Sequence, residues 1–235
     1  MRSLLGVFAA TTLAVGAAQP LVAQENSITD MSLTSLEARA EGGDTVAKAT
    51  LGWIYESGHG VEADTEKAAQ QYRAASLQGD GFAKWRLGVM MDHGLTAGSA
   101  VEAVDLFREA AGAKIAGAAS SLGVMYASGR GVERDFDAAM RYYQAAARMG
   151  SAHGLQGIGV LYANGQGVDR NMEEALAYWL VAAAGGDEDA IALLIDHMPP
   201  SSSPEAAPVY ARANQIADAY DKVIGPEARS ASLLP

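Results

Sequence analysis

The chain has 235 residues, with 28 acidic side chains against 17 basic ones, a formal charge of -11 and no cysteine. That negative balance argues against nucleic acid as a partner, because a binder must present a positive field to phosphates. The missing cysteine excludes a disulfide framework, and the length leaves room for one or two domains with an ample core.

In chain order, the first residues combine Arg2, an apolar run from Leu4 to Val15, and small residues at Ala18 and Ala23. This is the pattern of a secretory signal peptide, too short to span a bilayer. Residues 1–23 are expected to be removed, with cleavage after Ala23 favoured over Ala18. Losing Arg2 leaves 16 bases against 28 acids, or -12. No later apolar run is long enough to cross a membrane, and without cysteine there is no site for an N-terminal lipid. The expected location is therefore the periplasm, with the extracellular space second. Residues 24–43 include "SITDMSLTSLEARAEG", from Ser27 to Gly42, which reads as an N-terminal capping helix.

From residue 44 onward the sequence repeats. Leu51, Leu87, Leu122 and Ile158 are each followed by glycine, at Gly52, Gly88, Gly123 and Gly159. The same register aligns Tyr55, Met91, Tyr126 and Tyr162, then Gly58, Gly94, Gly129 and Gly165. Further on come Ala68, Ala103, Ala139 and Ala175, followed by Tyr72, Phe107, Tyr143 and Trp179. The spacings are 36, 35 and 36 in the columns before the internal loop and 35, 36 and 36 in those after it, so the short step lies in the second unit, whose internal loop has lost one residue. The units are 44–79, 80–114, 115–150 and 151–186, the second being degenerate.

Within a unit, Ala47, Leu51, Ile54 and Tyr55 make one helical stripe, and Ala68, Tyr72 and Ala75 make a second, so each unit is a pair of short helices. The mid-helix glycine costs about 1 kcal/mol relative to alanine, and close approach of the partner helix is the simplest compensation. The loops "GHGV", "GRGV" and "GQGV" place a glycine where a helix ends in the left-handed region. Asp64, Ser99, Asp135 and Asn171 follow as helix N-caps, with Ser99–Glu102 and Asn171–Glu174 spaced as capping boxes. With no strand before the loop and no lysine after it, the glycines serve a helical hairpin and not a phosphate.

Residues 187–198 form half a unit, with Ala190 and Leu194 in the first-helix columns and Pro199 and Pro200 ending it. Residues 199–235 hold a linker, "SSSPEAAP", a helix start at Ser203–Pro204 and an apolar face of Val209, Ala213, Ile216, Tyr220 and Val223. This is expected to cap the stack in preference to detaching from it.

Leu-Gly-x-x-Tyr, Gly-x-Gly-Val, Ala-x-x-x-Tyr and Ala-Ala-x-x-Gly at this period resemble the Sel-one-like repeat (SLR), a relative of the tetratricopeptide repeat. The resemblance covers about 44 to 186. Unit two departs from it, with Thr96 and Ala97 where Gly and Val are expected. It implies an all-α fold: a right-handed superhelical solenoid of antiparallel helix pairs closed by terminal capping helices. Some secreted, cysteine-rich members are linked to binding or hydrolysis of beta-lactams, a branch from which the absence of cysteine separates this chain.

The functional candidates lie beside the core stripe. Residues 46, 50, 53 and 57 of each first helix form a second stripe, whose third position reads Trp53, Val89, Val124 and Val160, flanked by Phe82, Trp85, Arg86, His93 and His153. Either these residues only widen the contact between units, or they form a partly exposed row on the inner curve, where aromatics and arginine would anchor a protein or peptide. A binder of cell-wall fragments or envelope glycans is the alternative, and a hydrolase of the beta-lactam-binding type stands third. The scattered carboxylates and the four histidines, His59, His93, His153 and His197, outline no catalytic or metal constellation. No cofactor is expected.

Overall fold

Eleven helices fill residues 33–220, the span that the computed structural model describes, and no strand lies among those residues. They are α1 (Leu33–Glu41), α2 (Thr45–Ser57), α3 (Thr65–Leu77), α4 (Gly81–Asp92), α5 (Ala100–Gly112), α6 (Ala116–Ser128), α7 (Phe136–Arg148), α8 (Ala152–Asn164), α9 (Met172–Ala184), α10 (Glu188–His197) and α11 (Ala206–Ala219). The signal peptide, the start of the N-terminal helix before Leu33, and Val223 lie outside the described residues. Helices α2 to α9 make four antiparallel pairs, and the second helix of each pair packs on the first helix of the next. Each first helix also touches the following first helix. Second helices make no comparable contact with one another among the described residues, so the first helices line the inside of the curve.

The mid-helix glycines are explained by rings. A Cβ on Gly52 would lie 2.6 Å from the Tyr72 ring, on Gly88 2.7 Å from the Phe107 ring, and on Gly123 2.5 Å from the Tyr143 ring. On Gly159 it would strike the Trp179 indole. The expectation of backbone approach is corrected accordingly: the missing side chain mainly makes a seat for the aromatic residue of the second helix. All four rings are buried, at 6 % exposure or less, and close packing leaves no slack to move them.

The loops follow the caps. Gly58, Gly129 and Gly165 end their helices with φ of 69°, 74° and 67°, the left-handed region that a Cβ disfavours. Asp64, Asp135 and Asn171 cap α3, α7 and α9 through their side chains, and their own N–H groups donate to the carbonyls of Tyr55, Tyr126 and Tyr162. The shortened loop of unit two solves the same problem differently. Ser99 caps α5, but its N–H is donated to the Glu102 carboxylate at 2.7 Å, which completes a capping box. The box expected at Asn171–Glu174 is not formed: the Asn171 N–H is already spent on Tyr162, and the Glu174 carboxylate accepts from Arg212 of α11 at 2.7 Å.

The junction after unit two is the weakly built one. Gly43, Gly79, Gly150 and Gly186 precede the other first helices with φ between 87° and 97°, whereas Lys114 takes a left-handed φ of 63°. The next residue, Ile115, caps α6 without a side-chain hydrogen bond, while Asp44, Asp80, Ser151 and Asp187 each supply one.

At the ends, α1 lays Leu36 and Ala40 on Ala47, Leu51 and Ile54 of α2. Helix α10 stops at His197 with Met198 in the extended region that a following proline requires. Helix α11 begins at Ala206 and not at Pro204, which lies in the preceding turn, and it packs Val209, Ala213, Ile216 and Ala217 into the cluster around α9.

Two stability measurements test these assignments. Gly123→Ala should lose about 1–3 kcal/mol in urea unfolding by overpacking the Tyr143 ring, while Gly112→Ala, where a Cβ meets nothing within 4 Å, should gain up to about 1 kcal/mol. Equal effects would disprove the ring seat. Lys114→Gly should stabilise by roughly 1 kcal/mol and slow hydrogen exchange across 91–114, and a neutral or destabilising result would remove the strain assigned to that turn.

Candidate partner-binding hollow

Helices α2 and α4 lie side by side on the inner curve, and their facing side chains do not close completely. Trp53, Glu56 and Ser57 of α2 and Phe82, Trp85 and Arg86 of α4 line a hollow of ≈ 220 Å³. Phe82 is its floor. At 4 % exposure it belongs to the core, packed edge-on to Tyr72 and to Trp85 with ring centroids 6.1 and 5.8 Å away. This corrects its placement in an exposed row: it sits one helical turn deeper than Trp85, where the second helix α3 covers it.

Trp85 is half-buried and wedged between units. One edge of its indole rests where a Cβ of Gly117 would be, its Nε1–H donates to the Ser121 hydroxyl at 3.2 Å, and the Arg86 guanidinium lies over the ring, 5.1 Å from its centroid. Trp53 is also half-buried, touching the clusters on both sides of it, with the His59 ring 5.5 Å away.

The charges in the wall are mutually satisfied. Arg86 donates to both Glu56 oxygens, with its Nε 3.0 Å from Oε2, and the Tyr72 hydroxyl donates to the same Oε2 at 2.8 Å. Burial raises the Tyr72 phenol pKa and the adjacent carboxylate adds to it, so that hydroxyl keeps its proton. Burial alone would lower that of Arg86, but hydrogen bonding and attraction to Glu56 outweigh it and the net shift is upward. A carboxylate held by three donors fixes geometry and is poorly placed to move a proton. The arrangement presents aromatic edges beside a fixed, partly open guanidinium.

Of the expected row, Trp53, Trp85 and Arg86 meet at this hollow. Val89, Val124 and Val160 are half-buried further along the first helices and do not line it. Thr50, in the same stripe, is only 2 % exposed, with its hydroxyl turned back to the Val46 carbonyl. The valines therefore pack largely between units. Ser57 belongs to the expected stripe, whereas Glu56 was missed, although one signal for it was available. Its column continues Asp92, Ala127, Ala163, and that of Arg86 reads Thr50, Arg86, Ser121, Gly157, so only units one and two set opposite charges on facing first helices. The histidines are dispersed: His153 lies 3.5 Å from Asp187, His197 is beside Trp179, and His59 and His93 are exposed. Among the described residues no group of three or more His, Asp or Glu side chains could hold a metal ion, and no helix there is long and apolar enough to cross a membrane.

The sequence model of the Sel1 repeat family matches four stretches, residues 46–80, 81–113, 116–151 and 152–187. Among solved structures, the chain is similar to a Sel1 repeat protein from Oxalobacter formigenes, with 29 % identity over 74 % of this chain and 73 % of that one and a TM-score of 0.60. It is also similar to a protective antigen with an SLR fold present in uropathogenic Escherichia coli strains, at 26 % identity and a TM-score of 0.61. That match takes in 80 % of this chain but 41 % of the antigen's length. An immunity protein from Pseudomonas aeruginosa, at 22 % identity, 81 % and 73 % coverage and a TM-score of 0.53, shares the fold. No curated protein matches the chain significantly.

The two tryptophans should respond differently to truncation. Trp85→Ala opens a space against Gly117 between units two and three, breaks the hydrogen bond to Ser121 and should cost about 3 kcal/mol, whereas Trp53→Ala, with no such seat in the next unit, should cost about 1 kcal/mol. Chemical denaturation of the single variants measures both. A Trp85→Ala protein as stable as the wild type would make that residue a free anchor and not a packing element.

Proposed function

The chain belongs to the Sel1 repeat family, and on that premise we propose that it is an interaction scaffold holding a peptide segment of a partner protein along the inner face of its first helices. One large apolar side chain of the partner would enter the hollow between units one and two. The observation that carries this reading is the convergence of Trp53, Trp85 and Arg86 on one cavity of ≈ 220 Å³, roomy enough for a single side chain. Aromatic and arginine residues around a desolvated pocket are what dominates interface energies.

The glycan reading is less well supported, because stacking on a sugar needs an uncovered ring face. The Trp85 ring has Arg86 over it and Gly117 against it, and His59 sits beside Trp53. A peptide side chain can use the edges that remain. Reading residues 1–23 as a cleaved leader places this work outside the cytoplasm, and protein recovered from the periplasm of a Gram-negative host should then begin at Gln24.

Selection of displayed random peptides on the wild-type chain tests the binding reading. Enriched peptides should share a large apolar residue and should bind Trp53→Ala about 30-fold more weakly, while Leu77→Ala, at a site 84 % exposed on α3, should bind as the wild type does. Peptides that bind Trp53→Ala equally well would remove the hollow from the proposal.

A further inference from the structure

In each full unit the glycine of the first helix is covered by the ring of that unit's own second helix, as Gly52 is by Tyr72 and Gly123 by Tyr143. The leucine column beside it, Leu51, Leu87, Leu122 and Ile158, is at most 2 % exposed. Helix α10 is the first helix of a fifth unit that lacks its second helix. The next helix, α11, packs on α9 and makes no comparable contact with α10. The glycine column is therefore uncovered at α10, where Ile195 is 79 % exposed, while Leu194 before it packs against the cluster around α9. Ile195 stands in the column of Gly52, Gly88, Gly123 and Gly159, so a branched side chain fills the seat that a ring would take.

The charges along this stretch have one sign. Glu188, Asp189 and Asp196 on α10 and Glu205 beyond it are exposed, and residues 187–205 contain no lysine or arginine. The end of a solenoid is ordinarily closed by a polar face. Here the end is an exposed isoleucine on a helix whose exposed charges are all carboxylates.

We propose that this face of α10 docks an amphipathic helix of a partner protein, with basic residues on the flanks and a small residue where second helices carry their aromatic ring. Three observations select that occupant. The open column is the one that the second helix covers in each full unit, so the contact is helix on helix. Ile195 is a knob, and the partner must offer a hole in place of the usual ring. The carboxylates select lysine or arginine and disfavour a second copy of this chain, since two α10 helices laid together would oppose Glu188 and Asp189 to Asp196 or to themselves. The surface is separate from the hollow at units one and two and does not depend on it.

The probe is a fluorescein-labelled synthetic helix with a leucine stripe, a central alanine and lysine flanks, titrated into the full chain. Binding should fall about tenfold or more for Ile195→Gln, for the same peptide with tryptophan at its centre and for the peptide with glutamate flanks. Leu77→Gln, equally apolar and exposed, should leave it unchanged. Equal affinity for Ile195→Gln and the wild type would overturn the proposal, as would indifference to the peptide's flanking charge. In a second arm, Ile195→benzoylphenylalanine in the full chain should photo-cross-link to the added helix. Links confined to residues 221–235 of the same molecule, or a covalent dimer, would assign the face to another occupant and overturn it as well.

Discussion

The seat that a glycine in each first helix provides for an aromatic ring of the second helix governs the architecture. At Gly123 the ring of Tyr143 occupies the place of a side chain, and Gly157 of the next unit meets the same ring. One ring thus joins the pair of helices within unit three to the first helix of unit four. An exposed mid-helix glycine would cost about 1 kcal/mol of helix propensity, and burial of a whole aromatic ring outweighs this. Because the ring fixes how deep the second helix sits, it also sets where the following first helix can lie, and a small repeated feature becomes the pitch of the whole stack.

Unit two shows how far this arrangement tolerates change. Its loop is one residue short, yet Phe107 still lies against Gly88 and both are buried. The loss is absorbed locally: Ser99 exchanges a backbone acceptor for the Glu102 carboxylate, and Lys114 accepts a left-handed φ. The seat is kept while caps and turns vary, as expected if each unit needs its core contact and can reach it through more than one loop. At the other end the seat itself is lost, with isoleucine for glycine at Ile195, and there the pairing of first with second helix ceases.

The fold was legible because its determinants recur. Period, caps and left-handed glycines are local, and four copies of each separate signal from accident. What could not be read was anything that depends on which of two partners wins a group. Glu174 has capping-box spacing, but Arg212, 38 residues later, takes its carboxylate, a contact between α9 and α11 with no counterpart in the repeat. The purpose of the glycine column was also ambiguous, since a missing side chain admits either a backbone or a ring, and only the relative depth of the helices decides. At the candidate site, Trp53 stood out from a column of valines and Arg86 from one of threonine, serine and glycine. Their depth did not: Phe82 shares the stripe and differs in being roofed by Tyr72 of another helix.

That distinction bears on where recognition can reside in such a chain. Residues facing the second helix are held by the ring and its seat, so they cannot diversify without cost to the stack. Those facing the inner curve also meet the neighbouring first helix and vary more, the column of Arg86 running from threonine through arginine and serine to glycine. Helix α6 carries no ionisable group except Tyr126, and α8 adds only His153 and Tyr162. Among the described residues, the one bidentate ion pair between facing first helices is Glu56 with Arg86, in the wall of the hollow. Pairing two charges there gives little stability over apolar residues of similar volume, and it does not serve the repeat, since units three and four pack without it. Its consequence is to hold the guanidinium over Trp85 beside an open space, which is geometry fixed at a surface that the scaffold does not itself require.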